Sequence, residues 1–232
     1  MVLPGISIII PVYNEQTIIN RQIKHLLTLE YSGPTEIIIV DGEENNSTLS
    51  AIDTRFSVRK IAAGKGRGLQ MNSGARAAKG DILLFVHADT GMPKDSLSLI
   101  AAKMKSEEVV AGAFQLGIDS ERSGIKLIEK MANIRSRFNR IPYGDQSIFI
   151  RRDYFFKIGG FDEIPIMEDV ALMRKIKNKH DPITIIPSKT KTSARRWTEE
   201  GAFYTTLRNW SLFILYSLGV SPQKLIQFYR KE

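Results

Sequence analysis

The chain has 232 residues, 43% of them hydrophobic and 25% charged, which suits a folded domain with a sizeable core and excludes a disordered one. It contains no cysteine, which excludes disulfides, thiolate zinc centres and cysteine nucleophiles and suits a reducing compartment. The formal net charge of +8 and a pI near 9.6 point to an anionic partner: nucleic acid, anionic lipid or a phosphorylated small molecule.

Ile6 to Val12 is apolar and β-branched and predicts a buried strand. Asn14 is placed to cap a helix over about Glu15 to Leu29, whose apolar positions Ile18, Ile19, Ile23, Leu26 and Leu27 share a face. Gly33-Pro34 breaks the chain before a second strand, Glu36 to Val40, which ends at Asp41-Gly42. Val58 to Ala62 predicts a third strand, Leu69 to Ala78 a helix stopped by Lys79-Gly80, and Ile82 to Val86 a fourth strand. Lys94 to Lys105 predicts the next helix. This alternation argues for a parallel, doubly wound sheet. Beyond it, Val109 to Leu116, Ser147 to Arg151 and Ile183 to Ile186 read as strands. Ile125 to Arg140, Glu168 to Lys177, Phe203 to Leu218 and Pro222 to Tyr229 read as helices. No run reaches the roughly 18–20 apolar residues needed to span a bilayer. Pro4, Gly5 and Pro11 interrupt the first apolar run, so no secretory leader is expected.

Carboxylates follow the predicted strands: Glu15 after the first, Asp41 after the second and Asp89 after the fourth. Successive parallel strands bring such residues to one crevice at the carboxyl edge of the sheet, where α/β folds bind ligands. Carboxylates crowded there need a cation or hydrogen-bond donors to offset their repulsion. Asp89 reads either as a metal-binding carboxylate, with phosphate oxygens completing the cation's shell, or as a turn cap ahead of Pro93. Lys65-Gly-Arg-Gly68 opens a helix, and Arg67 suits a phosphate or ribose there unless the loop is merely exposed. Asn72 on the same helix is expected to face that pocket. Glu168-Asp169 sits at a loop-to-helix junction, either as acid–base machinery or as a carboxylate pair favoured by the helix dipole.

Pro11-Val-Tyr-Asn-Glu15, Val40-Asp-Gly42 and His87-Ala-Asp89 together resemble the family 2 inverting glycosyltransferases along most of the chain. Gly66 to Ala75, Leu84 to Thr90, Pro142 to Gln146, Met167 to Val170 and Thr192 to Trp197 resemble, more narrowly, a bacterial arsenosugar-biosynthesis-like subgroup. The resemblance implies an α/β GT-A fold: a Rossmann-like, mostly parallel central sheet flanked by helices, with C-terminal helices. It implies a catalytic domain over 1–200, with a nucleotide half to about residue 90 and an acceptor half after it. Residues 201–232 would be a helical extension packed on it.

The roles follow residue by residue. Pro11, Tyr13, Glu15, Asp41, Arg67, Asn72, His87 and Ala88 would line the nucleotide site, with Asp41 on the base and Glu15 near the ribose. Asp89 would hold Mn²⁺ or Mg²⁺. His87 stands where the family has its first DxD carboxylate, and reads as a ligand, a supporting residue or a hydrogen-bonding histidine. Glu43, Glu44 and Asn46 replace the small residues of the family's loop after Asp41. Asp169 would be the base for the acceptor hydroxyl, with Glu168 beside it and Asp145 as a rival. Arg196 would meet the diphosphate and Trp197 a sugar, or Trp197 would anchor the C-terminal helix.

The expected activity is therefore metal-dependent, inverting transfer from a nucleotide sugar, a UDP-sugar foremost, to the hydroxyl of a small-molecule or lipid acceptor. The alternatives are a sugar-phosphate nucleotidyltransferase, which would carry a basic Gly-rich loop where Pro11 to Glu15 stands, and a non-catalytic nucleotide-sugar or membrane-surface binding protein. No nucleic-acid signature accompanies the charge, so no such partner is expected. A cytoplasmic site, peripheral to the membrane through the aromatic C-terminal helices, is expected; those helices would otherwise pack or dimerise.

Overall fold

The computed structural model describes residues 2–229, with side chains throughout except at positions 196 and 199. In chain order the elements are β1 (Ile6–Val12), α1 (Ile19–Leu26), β2 (Thr35–Asp41), α2 (Ser47–Ser50), β3 (Arg59–Ala62), α3 (Arg67–Ala77), β4 (Ile82–Phe85), β5 (Thr90–Gly91) and α4 (Ser96–Lys103). They continue with β6 (Ala111–Asp119), α5 (Ser123–Asn139), β7 (Phe149–Arg151), α6 (Arg152–Lys157), α7 (Glu168–Asn178), β8 (Ile183–Ser193), α8 (Arg195–Glu199), α9 (Ala202–Ser217) and α10 (Pro222–Tyr229).

One sheet in the order β3-β2-β1-β4-β7-β6-β8-β5 joins the two halves of the chain. The strands from β3 to β4 are parallel, β7 runs antiparallel between β4 and β6, and β8 is parallel to β6. Alternate side chains point to opposite faces of a strand, and both faces here are covered. Ile9, Ile38, Val40, Leu83 and Phe85 pack with Met71, Ala75, Phe155, Leu172 and Ile176 on one side. Ile8, Ile10, Ile37, Ile39 and Leu84 pack with Ile19, Ile23, Leu97 and Ile100 on the other. That is why β1 and β2 read as unbroken apolar runs.

Two expectations change. Asn14 does not cap α1: it sits in the left-handed region at φ 57°. The chain instead makes a turn in which the Glu15 carbonyl accepts from the Ile18 and Ile19 amides, and the helix starts at Ile19. The strand expected to end at Ile186 runs on to Ser193. Its register against β6 jumps from Phe114↔Ile186 to Gln115↔Lys189, so Pro187 and Ser188 drop out of the ladder. Proline has no amide to donate, and a bulge lets a strand pass through it. Along α5, two polar side chains join the apolar contacts of Ile125, Ile128 and Ala132 with β6. Asn133 bonds both the amide and the carbonyl of Leu116, at 2.7 and 2.8 Å, and Glu129 accepts from the Ile118 amide at 2.8 Å. These side chains stand in for a neighbouring strand along the part of β6 that β7 leaves bare, since buried backbone groups demand partners.

Candidate active site

In register, Val12 pairs with Asp41 and Asp41 with Ala62, so β1, β2 and β3 end together. Val86 donates to the Ile9 carbonyl, which carries His87 to Asp89 along the same edge. Gln70 on α3 reaches across this edge and donates to the Val12 and Val40 carbonyls at 2.7 and 2.9 Å. It seals the ends of both strands and passes close to Gly42, where a Cβ would lie 2.7 Å from its Cδ. The sequence pattern did not single out Gln70; its only signal was a polar residue at a core position of a helix.

Asp41 is fully buried, and its carboxylate accepts from the amides of Glu43, Thr48 and Leu49 at 3.0, 3.1 and 3.3 Å. The last two lie at the start of the short helix α2, where the backbone favours an anion. Thr48 then accepts from the Glu15 amide through its hydroxyl at 3.0 Å, tying the first two strand ends together. Asp41 therefore organises the loop from Glu43 to Leu49. Glu43 is turned back on that loop, accepting from the amides of Asn45 and Ser47, which hold its carboxyl below the usual range.

Glu15 is half-buried. Burial raises its carboxyl above the ordinary value, the negative charge of Asp89 adds to this, and Arg195 opposes it. Asp89 is exposed, Ala88 is buried behind it, and Pro11 lies half-buried in β1. Tyr13 is exposed at the rim with the Lys65 ammonium 4.9 Å from its ring centre. Rim aromatic, cation and two carboxylates thus stand around one open edge.

The second half of the crevice forms around the N-terminus of α7. Asp169 Oδ2 accepts from the Gly144 amide at 2.6 Å, and Oδ1 from the Val170 amide at 2.7 Å. A carboxylate offers about four lone-pair positions, so two are left for a ligand. Glu168 is buried and bonded to Arg67 Nη1 at 3.1 Å, whereas the Arg67 side chain keeps 43% of its exposure. Burial raises the Glu168 carboxyl, and the Arg67 guanidinium opposes this. Arg67, Phe85, His87, Gly144, Glu168 and Asp169 line one small cavity. A Cβ on Gly144 would sit 3.0 Å from His87 Nε2 and 3.5 Å from Asp169 Oδ2, so the glycine permits that convergence. Asp145 is half-buried in the same turn, with its carbonyl accepting from Thr190. Tyr143, just before it, is pushed up to about 12 by burial, against the charge of Arg135, with Asp169 and Asp145 adding to the rise.

Two expected site residues are engaged elsewhere. Asn72 bonds both the carbonyl and the amide of Phe161, at 2.9 and 3.0 Å, and so clamps the Gly160-Phe161 turn rather than facing the crevice. Trp197 is partly buried against Leu116, Ile118 and Ile125. Arg196 lies outside the residues whose side chains are described. No cluster of three or more metal-binding side chains occurs among the described residues. Asp89 with the charge-coupled Glu15 nevertheless suits a hard cation that takes one or two carboxylates and completes its shell with phosphate oxygens. Among the described residues no helix is long and apolar enough to cross a membrane.

The Glycosyl transferase family 2 model matches residues 7–162. The probable glycosyltransferase YdaM of Bacillus subtilis (strain 168) is 25% identical over 224 residues, covering 85% of this chain and 51% of YdaM. The chain thus spans about half the length of that relative. An N-acetylglucosaminyltransferase of Bradyrhizobium elkanii is 27% identical over 124 residues, covering 50% of this chain and 68% of that protein. Among solved structures, a mannosyltransferase from Pyrobaculum calidifontis in complex with GDP-Man and Mn²⁺ superposes with a TM-score of 0.69 at 18% identity. That match covers 95% of this chain and 66% of the other.

Proposed function

The chain belongs to the family 2 glycosyltransferases and has their GT-A fold, and from that premise we propose that it transfers a hexose from a nucleotide sugar to a hydroxyl acceptor, with inversion. The observation that carries this is the convergence of His87, Gly144 and Asp169, from three separated segments, on one cavity, with His87 two residues before Asp89. The relatives that act on N-acetylglucosamine and the GDP-Man complex both support a hexose donor. A UDP-sugar is the donor we favour. The narrower likeness to the arsenosugar-biosynthesis-like subgroup rests on the motifs alone and names no acceptor.

Asp169 takes the proton of the acceptor hydroxyl. The acceptor oxygen forms a bond to the anomeric carbon as the bond from that carbon to the diphosphate oxygen breaks. The bonding pair leaves with the nucleoside diphosphate, and attack from the opposite face inverts the configuration. The Gly144 and Val170 amides keep the Asp169 carboxylate aimed while it waits. Arg67, its guanidinium steered by Glu168, supplies positive charge to the phosphates. Asp89, with Glu15 near it, would hold Mn²⁺ or Mg²⁺, which supplies Lewis-acid stabilisation of the leaving diphosphate. Tyr13, Pro11 and Ala88 shape the rim and floor of the nucleotide site. Asp41 acts by holding the Glu43 to Leu49 loop beside the nucleotide site.

Thermal shifts with a panel of nucleotides and nucleotide sugars, with and without Mn²⁺, test the reading. Ligand at 100 times its dissociation constant stabilises by about 2.7 kcal/mol, roughly 5–11 °C for a chain of this size. A Mn²⁺-dependent shift for one nucleotide class, abolished in Asp89→Asn, is the expected result. A shift indifferent to both Mn²⁺ and Asp89→Asn would sink the metal assignment, and no shift with any nucleotide would sink the donor.

A further inference from the structure

The helix α10 (Pro222–Tyr229) packs against the turn that opens α7. Leu225 is fully buried with Ile166 and Leu212, and Met167, Tyr216 and Tyr229 pack around them. Tyr229 follows Leu225 by one helical turn and so shares its face. Ile166 and Met167 run straight into Glu168 and Asp169. Met167 sits in the left-handed region at φ 69°, and it packs on the main core as well as on the α10 cluster. A non-glycine residue keeps that conformation only where its surroundings fix it. The turn that presents Glu168 and Asp169 is therefore clamped between the core and α10.

Arg208 of α9 braces the Tyr229 ring. Its side chain keeps only 10% of its exposure, bonds Glu200 through Nη1 at 2.7 Å, and lies 5.2 Å from the Tyr229 ring centre. A buried guanidinium with a carboxylate partner gains further from an aromatic ring, and the ring is fixed in return. Tyr229 also acts on Arg67. The charge of Glu168 holds the Arg67 guanidinium above its ordinary value against burial, and Tyr229 adds to this more strongly than Asp169 does, although Asp169 adjoins Glu168. Glu168 engages Arg67 at Nη1, whereas a guanidinium carries five N–H donors, enough for a second oxygen and a phosphate. Arg67 lines the same cavity as Asp169, so the phosphate it reaches is the one that carries the sugar.

We propose that Tyr229 is a positioning residue for the transfer: its phenol oxygen and the Glu168 carboxylate hold the Arg67 guanidinium between them, turned toward the sugar-bearing phosphate of the donor. This rests on the transferase reading above and adds a residue of the last helix to its phosphate site. A guanidinium held from two sides loses less freedom when it meets a phosphate, whereas one held by Glu168 alone is free to fold back onto that carboxylate. The helix α10 is thereby a wall of the active site rather than an appendage to it.

The test is calorimetric titration of the full chain with UDP, UMP, GDP and GMP in the presence of Mn²⁺, reading the ratio of diphosphate to monophosphate affinity for the base that binds. Tyr229→Phe keeps the ring against Arg208 and removes the oxygen. It should lower that ratio ~10-fold, as the loss of one hydrogen bond to a charged group does, with monophosphate affinity and melting temperature unchanged. Arg67→Gln should lower the ratio at least as far, and adding Tyr229→Phe to it should change nothing more. Phe228→Ser, exposed on the same helix, should keep the wild-type ratio. Equal losses for diphosphate and monophosphate in Tyr229→Phe, a further loss in the double variant, or a lowered ratio in Phe228→Ser would overturn the proposal. A wild-type ratio in Tyr229→Phe beside a lowered one in Arg67→Gln rejects the role of Tyr229 alone. A wild-type ratio in Arg67→Gln removes Arg67 from the phosphate site and the proposal with it, and binding of no nucleotide rejects the donor reading on which both rest.

Discussion

Replacing Asp169 by Asn removes the proposed base while preserving shape. The carboxylate accepts two backbone N–H bonds, from Gly144 at 2.6 Å and Val170 at 2.7 Å. An Asn side chain has one oxygen, so it can satisfy one of these donors and must set its own NH₂ against the other. Exchanging one charge-assisted bond for a mismatch costs about 1–2 kcal/mol, or roughly 2–8 °C in a chain of this length. Loss of general-base assistance lowers the turnover ~10²–10⁴-fold, equivalent to about 3–5 kcal/mol of transition-state stabilisation. The expected signature is thus a large fall in kcat with an unchanged thermal shift by donor nucleotide and a small fall in Tm. Release of nucleoside diphosphate from the nucleotide sugar that gives the largest thermal shift is the assay, with differential scanning fluorimetry alongside. Activity within a few-fold of wild type would refute the assignment. In that case Asp145→Asn, expected to keep at least a tenth of the activity, becomes the decisive variant.

Gly144→Ala should lower turnover tenfold or more while hardly moving Tm, because the new methyl crowds His87 Nε2 at 3.0 Å and pushes on the Asp169 carboxylate; steady-state kinetics and a melting curve check this. Asn133→Ala leaves the buried amide and carbonyl of Leu116 without partners and should destabilise the fold by about 2–4 kcal/mol in urea titration. The Glu129 carboxyl gives a pH test. Burial alone would raise it, but Lys189 and the Ile118 amide overcome burial and hold it below the usual value. Its stabilisation is therefore present above the unfolded pKa of about 4.3 and disappears as pH falls through the depressed folded one. Wild type and Glu129→Gln should differ in unfolding midpoint at pH 7 and converge in acid; a constant gap down to pH 2 would contradict this.

Much of the nucleotide half was legible from residue order because its determinants are local. β1, β2 and β4 are apolar runs that end in polar residues, and their parallel pairing follows from the helices between them. The same order placed Glu15, Asp41 and Asp89 at one edge, and the Glu168-Asp169 pair at a helix start. What pairing cannot encode locally was not legible. Pro187 disguised the length of β8, since only the facing β6 strand reveals that a bulge carries the chain past it. Asn72 looked like a ligand contact, yet backbone groups 89 residues away claim its polar atoms.

The strand-by-strand polarity pattern by itself determined the mostly parallel sheet, and the motifs carried the resemblance to the family, because each is a property of neighbours along the chain. Only the tertiary structure decided that Gly144 hands its amide to Asp169, that Arg67 leans on Glu168, and that α5 turns Glu129 and Asn133 onto β6. Each of these is settled by an unmatched backbone or charged group meeting a partner from a distant segment. A linear sequence states which groups need a partner, and packing alone states where the partner comes from.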